Sequence, residues 1–149
     1  MTTNIQNQKL DETSPSVQAH LGILQGVINR MASNSSQSKA WCITVVSAIL
    51  VIIADKGKPD FVWIALLPTI LFLFLDAYYL TLEIAFRDSY NNFVKKLHEN
   101  RLTAEDLYSV KPEGEMYKHR RKALASFSIW GFYAGLLVLT VVARNIVLN

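Results

Sequence analysis

The chain has 149 residues, of which 51% are hydrophobic and 18% charged, with a formal net charge of +3 and one cysteine. That length holds either one compact water-soluble domain or a few membrane helices with short connections. A lone Cys42 excludes an intramolecular disulfide and a thiolate metal cluster, and the small positive charge is placed for topology, so no specific nucleic-acid binding is expected.

Residues 1–13 have the polar composition of a disordered tail and lack the basic-then-apolar order of a signal peptide, so the first span is expected to serve as its own insertion signal. Ser14-Pro15 then reads as a helix start, with Ser at the cap and Pro at the first helical position. Val17, Leu21, Leu24, Ile28 and Met31 follow at steps of four and three, which predicts an amphipathic helix over 14–33 with one apolar seam. The seam packs either on this chain's own helices or on a second subunit. The run Ala32 to Ser38 is rich in Ser, Asn and Gln, and either bends the chain at the membrane entrance or permits close helix contact there.

Two uncharged runs come next, predicting a first span over 36–54 and a second over 61–80. Their uncharged cores, Ala40 to Ala54 and Phe61 to Leu75, reach only about 22 Å each as helix. The joining segment Asp55-Lys56-Gly57-Lys58-Pro59-Asp60 combines helix breakers with charges, so the pair reads as a membrane hairpin. Trp41 and Trp63 fit aromatic belts at its two faces. Pro68 is a candidate kink.

Beyond Leu75 no Gly or Pro stops the helix, which is expected to continue to about Leu97, with Glu83 and Arg87 as an i,i+4 pair. Within the connection over 98–122, Thr103 and Asp106 form a capping pattern that predicts a short helix through Tyr108, broken at Lys111-Pro112-Glu113-Gly114. From 123 to 143 no charge occurs, enough to cross a hydrocarbon core of about 30 Å as a third span. The expected class is therefore all-α: three transmembrane helices, an N-terminal amphipathic helix and a helical cytosolic segment. Nine of the 15 Lys and Arg residues lie between the second and third spans. This predicts an inner-membrane protein with its N-terminus and residues 86–122 inside and its C-terminus outside.

Lys39 and Asp76 interrupt what would otherwise be full-length spans, and each lies about 22 Å from the outer loop. They are expected either to pair in a shared pocket or to reach water separately, Lys39 by snorkelling. Asp76, Tyr79 and Glu83 share a helix face, read either as a cation-favouring vestibule of an oligomer or as a solvated surface. Gly131 and Gly135 form a GxxxG suited to close helix contact, within or between subunits. The basic stretch 118–122 suits anionic lipid at the foot of a span. His20, His98 and His119 lack metal-ligand spacing with Cys or acidic residues and are expected at the surface. No nucleophile triad, phosphate loop or catalytic carboxylate pair is apparent, so no enzyme, metal or cofactor is expected.

Over about residues 15–97 the layout resembles the small SLATT-like membrane proteins and the RipA-like oligomeric membrane proteins of bacteria. The likeness lies in the amphipathic helix, the polar junction Asn29 to Ser35, two closely linked spans and a long helix rich in Tyr and Arg. The third span departs from the two-span plan. The resemblance implies a homo-oligomeric effector that forms pores or disrupts the membrane in bacterial defence, triggered by a soluble sensor. The alternative expectation is a membrane-anchored subunit that recruits a soluble partner through 86–122.

Overall fold

The computed structural model describes residues 10–147. Residues 1–9 of the tail expected over 1–13, and the C-terminal end at Asn149, lie outside the described residues. Those described are helical or irregular, with no strand among them, and three helices are long and apolar enough to cross a membrane.

Helix α1 runs unbroken over Pro15–Lys56. Pro15 occupies its first position, where a missing N–H costs nothing. Ser14 does not cap the helix with its side chain. Its Oγ accepts instead from the Asp11 N–H, and Asp11 Oδ1 accepts from Thr13 N–H and from both hydroxyls. Residues 10–13, read from composition as part of a disordered tail, thus form a closed turn. Leu10 anchors that turn against Val17, Leu24 and Phe93.

The polar run 32–38 does not end α1, so the expected amphipathic helix and first span are one continuous helix. Its side chains find acceptors without leaving the helical ladder: Ser38 donates to the Asn34 carbonyl at 2.8 Å and Gln37 to Ser33 at 3.2 Å. The buried positions explain why the helix must continue. Val17, His20, Leu24, Ile28, Met31, Ser35, Ser38, Cys42 and Val46 follow one another at steps of three and four, a single stripe facing the same way from end to end. Gly57, at φ 60°, closes the helix in the left-handed conformation and donates to the Ala54 carbonyl.

A 3₁₀ segment, Pro59–Ala65, turns the chain into α2, Leu66–His98. Pro68 falls in the first turn of α2, where backbone N–H groups lack helical partners in any case, so it removes no hydrogen bond from the body of the helix. The buried face of α2 carries Thr69, Ala77, Thr81, Ala85 and Ser89 at multiples of four before reaching Phe93. These small side chains let α1 approach closely along its whole length. The α1–α2 hairpin is the largest interface in the molecule.

After α2 the chain doubles back. The capping box forms as expected, Thr103 N–H donating to Asp106 Oδ2 at 2.9 Å, but around a 3₁₀ turn of only Ala104–Asp106. The predicted helix through Tyr108 is not made. Leu107 is extended and Tyr108 lies at φ 61°, because its N–H is given to His20 Nδ1 at 2.9 Å. Ser89 Oγ donates to the Lys111 carbonyl and accepts from Glu113 N–H, holding the far end of this connection on α2.

Helix α3, Met116–Leu124, and helix α4, Phe127–Val142, follow, with a π turn over Ala143–Val147. The helix expected as the third span over 123–143 therefore starts at Phe127. Ser126 caps α4 by accepting the Ser128 N–H, and Ala123 and Leu124 belong to the basic helix before it. At the other end Arg144 reaches Asp60 at 3.3 Å and lies over the Trp63 ring, tying α4 to the 3₁₀ segment.

Two cores result. In the apolar half, Cys42, Val46, Ala65, Ala77, Ile129, Tyr133 and Leu136 pack where α1, α2 and α4 meet. In the polar half, Val17, Leu24 and Phe93 are covered by Phe86, Tyr90, Leu97, Leu102, Leu107 and Val110. Full burial of a Val or Leu side chain is worth about 1.5–3 kcal/mol. The seam of Val17, Leu21, Leu24, Ile28 and Met31 is thus occupied by the chain itself, and is not an open surface for a second subunit.

Candidate functional site

Between the two cores, α1 and α2 bury charge. Ser35 lies on the inward stripe of α1, the half-buried Lys39 follows one turn later at its edge, and Asp76 faces them from α2. Lys39 Nζ stands 2.6 Å from Asp76 Oδ2, and the Ser35 hydroxyl donates to Oδ1. The ammonium also donates to Ser35 Oγ at 3.3 Å, closing a three-membered network. Asp76 is fully buried, whereas the Lys39 side chain keeps 18% of its surface open.

Helix α4 completes the pocket. Tyr133, 1% exposed, lies close enough to Asp76 for the two groups to interact, yet its hydroxyl makes no hydrogen bond among the described residues. A buried polar atom without a partner costs about 1–3 kcal/mol, so this phenol is a ready donor for any acceptor that enters or for a rearranged Asp76. The cluster holds one carboxylate, one ammonium, one engaged hydroxyl and one free hydroxyl. It can hold charge in a dry place, exchange a proton, or come apart into two unneutralised ions.

Tyr79 and Glu83 do not join it. Glu83 is held by Arg87, with Nε and Nη2 at 2.9 and 2.8 Å, and Tyr79 stacks edge-on against Tyr78. Within one chain the expected vestibule face is split, Asp76 turned inward and Glu83 neutralised beside it.

No family model, no curated protein and no solved structure matches this chain.

Gly131 and Gly135 lie on the exposed side of α4, in a groove of about 790 Å³. Its opposite wall is Ile43, Val46, Ser47 and Leu50 of α1. The two glycines therefore do not mediate a contact inside the chain. A Cβ on Gly135 would meet open space, and one on Gly131 would meet the Phe127 ring at 3.1 Å.

Two histidines expected at the surface are buried. His20, 2% exposed, stacks on Phe93 at 4.3 Å and accepts the Tyr108 N–H. His119 bonds the Glu113 carbonyl at 3.0 Å and lies 3.5 Å from Asp88. Together they pin the two ends of segment 108–114, while His98 is exposed. Burial pushes the His20 imidazole below its ordinary 6.5, partly opposed by the Asp106 carboxylate. No three His, Cys, Asp or Glu side chains converge as metal ligands among the described residues.

Ser35 and Tyr133 were not among the expected site residues. Ser35 was findable, one turn before Lys39 on the same face. Tyr133 stands out only as the single tyrosine of α4.

Proposed function

We propose that the chain is a non-enzymatic inner-membrane protein that assembles as a homo-oligomer, and that the Lys39–Asp76 pair is the latch of a pore-forming or membrane-disrupting effector. The wholly buried Asp76, paired at the junction of the apolar and polar halves, carries this reading. Ionisable groups within membrane helices are costly, and mark ion pathways or switches by default. Trp41, Val51, Leu67, Leu71, Phe74 and Trp130 all turn outward, which suits helices solvated by lipid and disfavours a water-soluble fold. The layout resemblance to SLATT-like and RipA-like proteins points the same way, as does the open α1–α4 groove with its two glycines. The topology follows from the basic connection: N-terminus and residues 86–122 inside, C-terminus outside.

Reconstitution into lipid discs and dye-loaded vesicles tests it. The expected result is an assembly heavier than a monomer, and a leak that rises when Asp76→Asn leaves Lys39 unpaired. A monomer in discs, with tight vesicles for wild type and variant alike, overturns it.

A second reading, a membrane-anchored subunit that recruits a soluble partner, is favoured by the ordered connection 99–115, which presents Tyr108 at its surface. On that reading overexpression leaves the membrane potential unchanged, and a cross-linker placed at Tyr108 captures a partner protein.

A further inference from the structure

A recess of about 210 Å³ lies between α2 and α3, bounded by Phe74, Ala77, Tyr78, Met116, Arg120 and Leu124. Ala77 and Thr81 are its buried lining, the Thr81 hydroxyl being satisfied by the Ala77 carbonyl at 2.7 Å, and the exposed Arg120 puts one guanidinium on its rim. Phe74 and Tyr78 bracket Asp76 in sequence, so the recess sits at the depth of the buried ion pair, where the apolar half of the molecule gives way to the polar half. Phe74 and Leu124 are largely open on its apolar side.

The charges around the mouth are unbalanced. Glu115 is taken by Lys118 and Asp88 by His119. Among the described residues no carboxylate pairs with Arg120, Arg121 or Lys122. Arg121 is turned toward the Tyr117 ring, 5.8 Å away, and Lys122 does not border the recess. Arg120 alone offers a planar donor fork at the edge of an apolar slot, the arrangement that recognises phosphate oxygens.

The geometry points to a binding site for an anionic phospholipid: its phosphate on Arg120, with the Tyr78 hydroxyl alongside, and one acyl chain laid over Ala77, Phe74 and Leu124. Excess positive charge at the mouth selects an anionic headgroup over a zwitterionic one. The short connection from α3 into α4 keeps the guanidinium at headgroup level, because Phe127 begins the third apolar helix three residues after Leu124. This site rests on the membrane placement proposed above, and does not depend on assembly or conduction.

Native mass spectrometry of the full-length protein in mild detergent, titrated with phosphatidylglycerol or phosphatidylcholine, tests it. One tightly held phosphatidylglycerol per chain is expected, in preference to phosphatidylcholine. Arg120→Gln should weaken it about tenfold, the loss of one charge-assisted phosphate contact. Lys122→Gln removes the same charge from the same helix outside the recess, and should change binding less than about twofold. Equal effects of the two substitutions, or no preference between the lipids, overturn the proposal. Because Arg120 is exposed and makes no internal pair, its replacement leaves the fold intact, which a matching circular dichroism melt verifies. A monomeric, non-conducting protein that still retains phosphatidylglycerol would remove the effector reading and keep this one.

Discussion

At the scale of single residues, the Lys39–Asp76 pair sets the largest effects. Breaking a buried pair by removing one partner strands the other charge and costs about 3–5 kcal/mol, whereas replacing both by apolar groups is often neutral or stabilising. Lys39→Met and Asp76→Leu are therefore each expected to lower the midpoint of unfolding in detergent steeply. The double variant should recover most of the loss. Additive single effects would show that the two side chains are not coupled. His20 offers a second test with a definite sign. Its buried, acceptor imidazole has its pKa depressed, so the unfolded segment binds the proton more readily than the folded one. The contribution of His20 to stability is complete above pH 6.5 and is lost as pH falls through the lower folded-state value. Asp106, Lys96, Glu105 and Glu113 border the same pocket. The Asp106 carboxyl is held below its usual range by the Lys96 hydrogen bond and protonates only in stronger acid. Hydrogen exchange at the Tyr108 amide should accelerate as pH drops from 7 to 5, once corrected for intrinsic rates. In His20→Phe it should be fast throughout.

Elements obey rules that the sequence displays unevenly. The three apolar runs, the Gly57 turn and the extension of α2 to His98 were legible because hydrophobicity, length and helix breakers agree there. The continuity of α1 was not, since its inward stripe passes from Met31 to Ser35 and Ser38, and a reader following apolar side chains loses the thread where the geometry does not. The Lys39–Asp76 approach could be reached by counting residues from the loop. The left-handed Tyr108 depends on one contact 88 residues away, which no local window contains, whereas the Ser126 cap is local, two residues from its donor, and is masked in the sequence because no charge interrupts 123–143. Gly114 shows the same coupling. It sits at φ 87°, and a Cβ there would collide with the His119 ring. Gly114→Ala strains the backbone at this positive φ, at a cost of about 1–3 kcal/mol, and in addition must displace the His119 ring. The change should loosen segment 108–114 in hydrogen exchange while leaving the α1–α2 hairpin protected; uniform loss of protection would mean that the segment is integral to the whole fold.

For the whole molecule, the proposed homo-oligomer raises the question of which surface remains for assembly. The N-terminal seam is spent inside the chain, so Leu24→Ala should act as a core truncation, costing about 2–5 kcal/mol without changing the order of any oligomer that survives. The α1–α4 groove is the opposite case. Gly135 opens into free space beside Ile43, Val46 and Leu50, and membrane helices associate through small residues that let backbones close on each other. Gly135→Leu fills that space at no cost to the isolated chain. If the chain assembles as proposed, it should preserve the thermal stability of the monomer yet shift the mass measured in lipid discs from oligomer to monomer. Gly131→Leu is the poorer probe, because its side chain would first press on Phe127. Were Gly135→Leu to leave the assembly unchanged while Leu24→Ala dissolved it, the subunits would have to meet through the polar half, by opening the seam that this chain closes on itself.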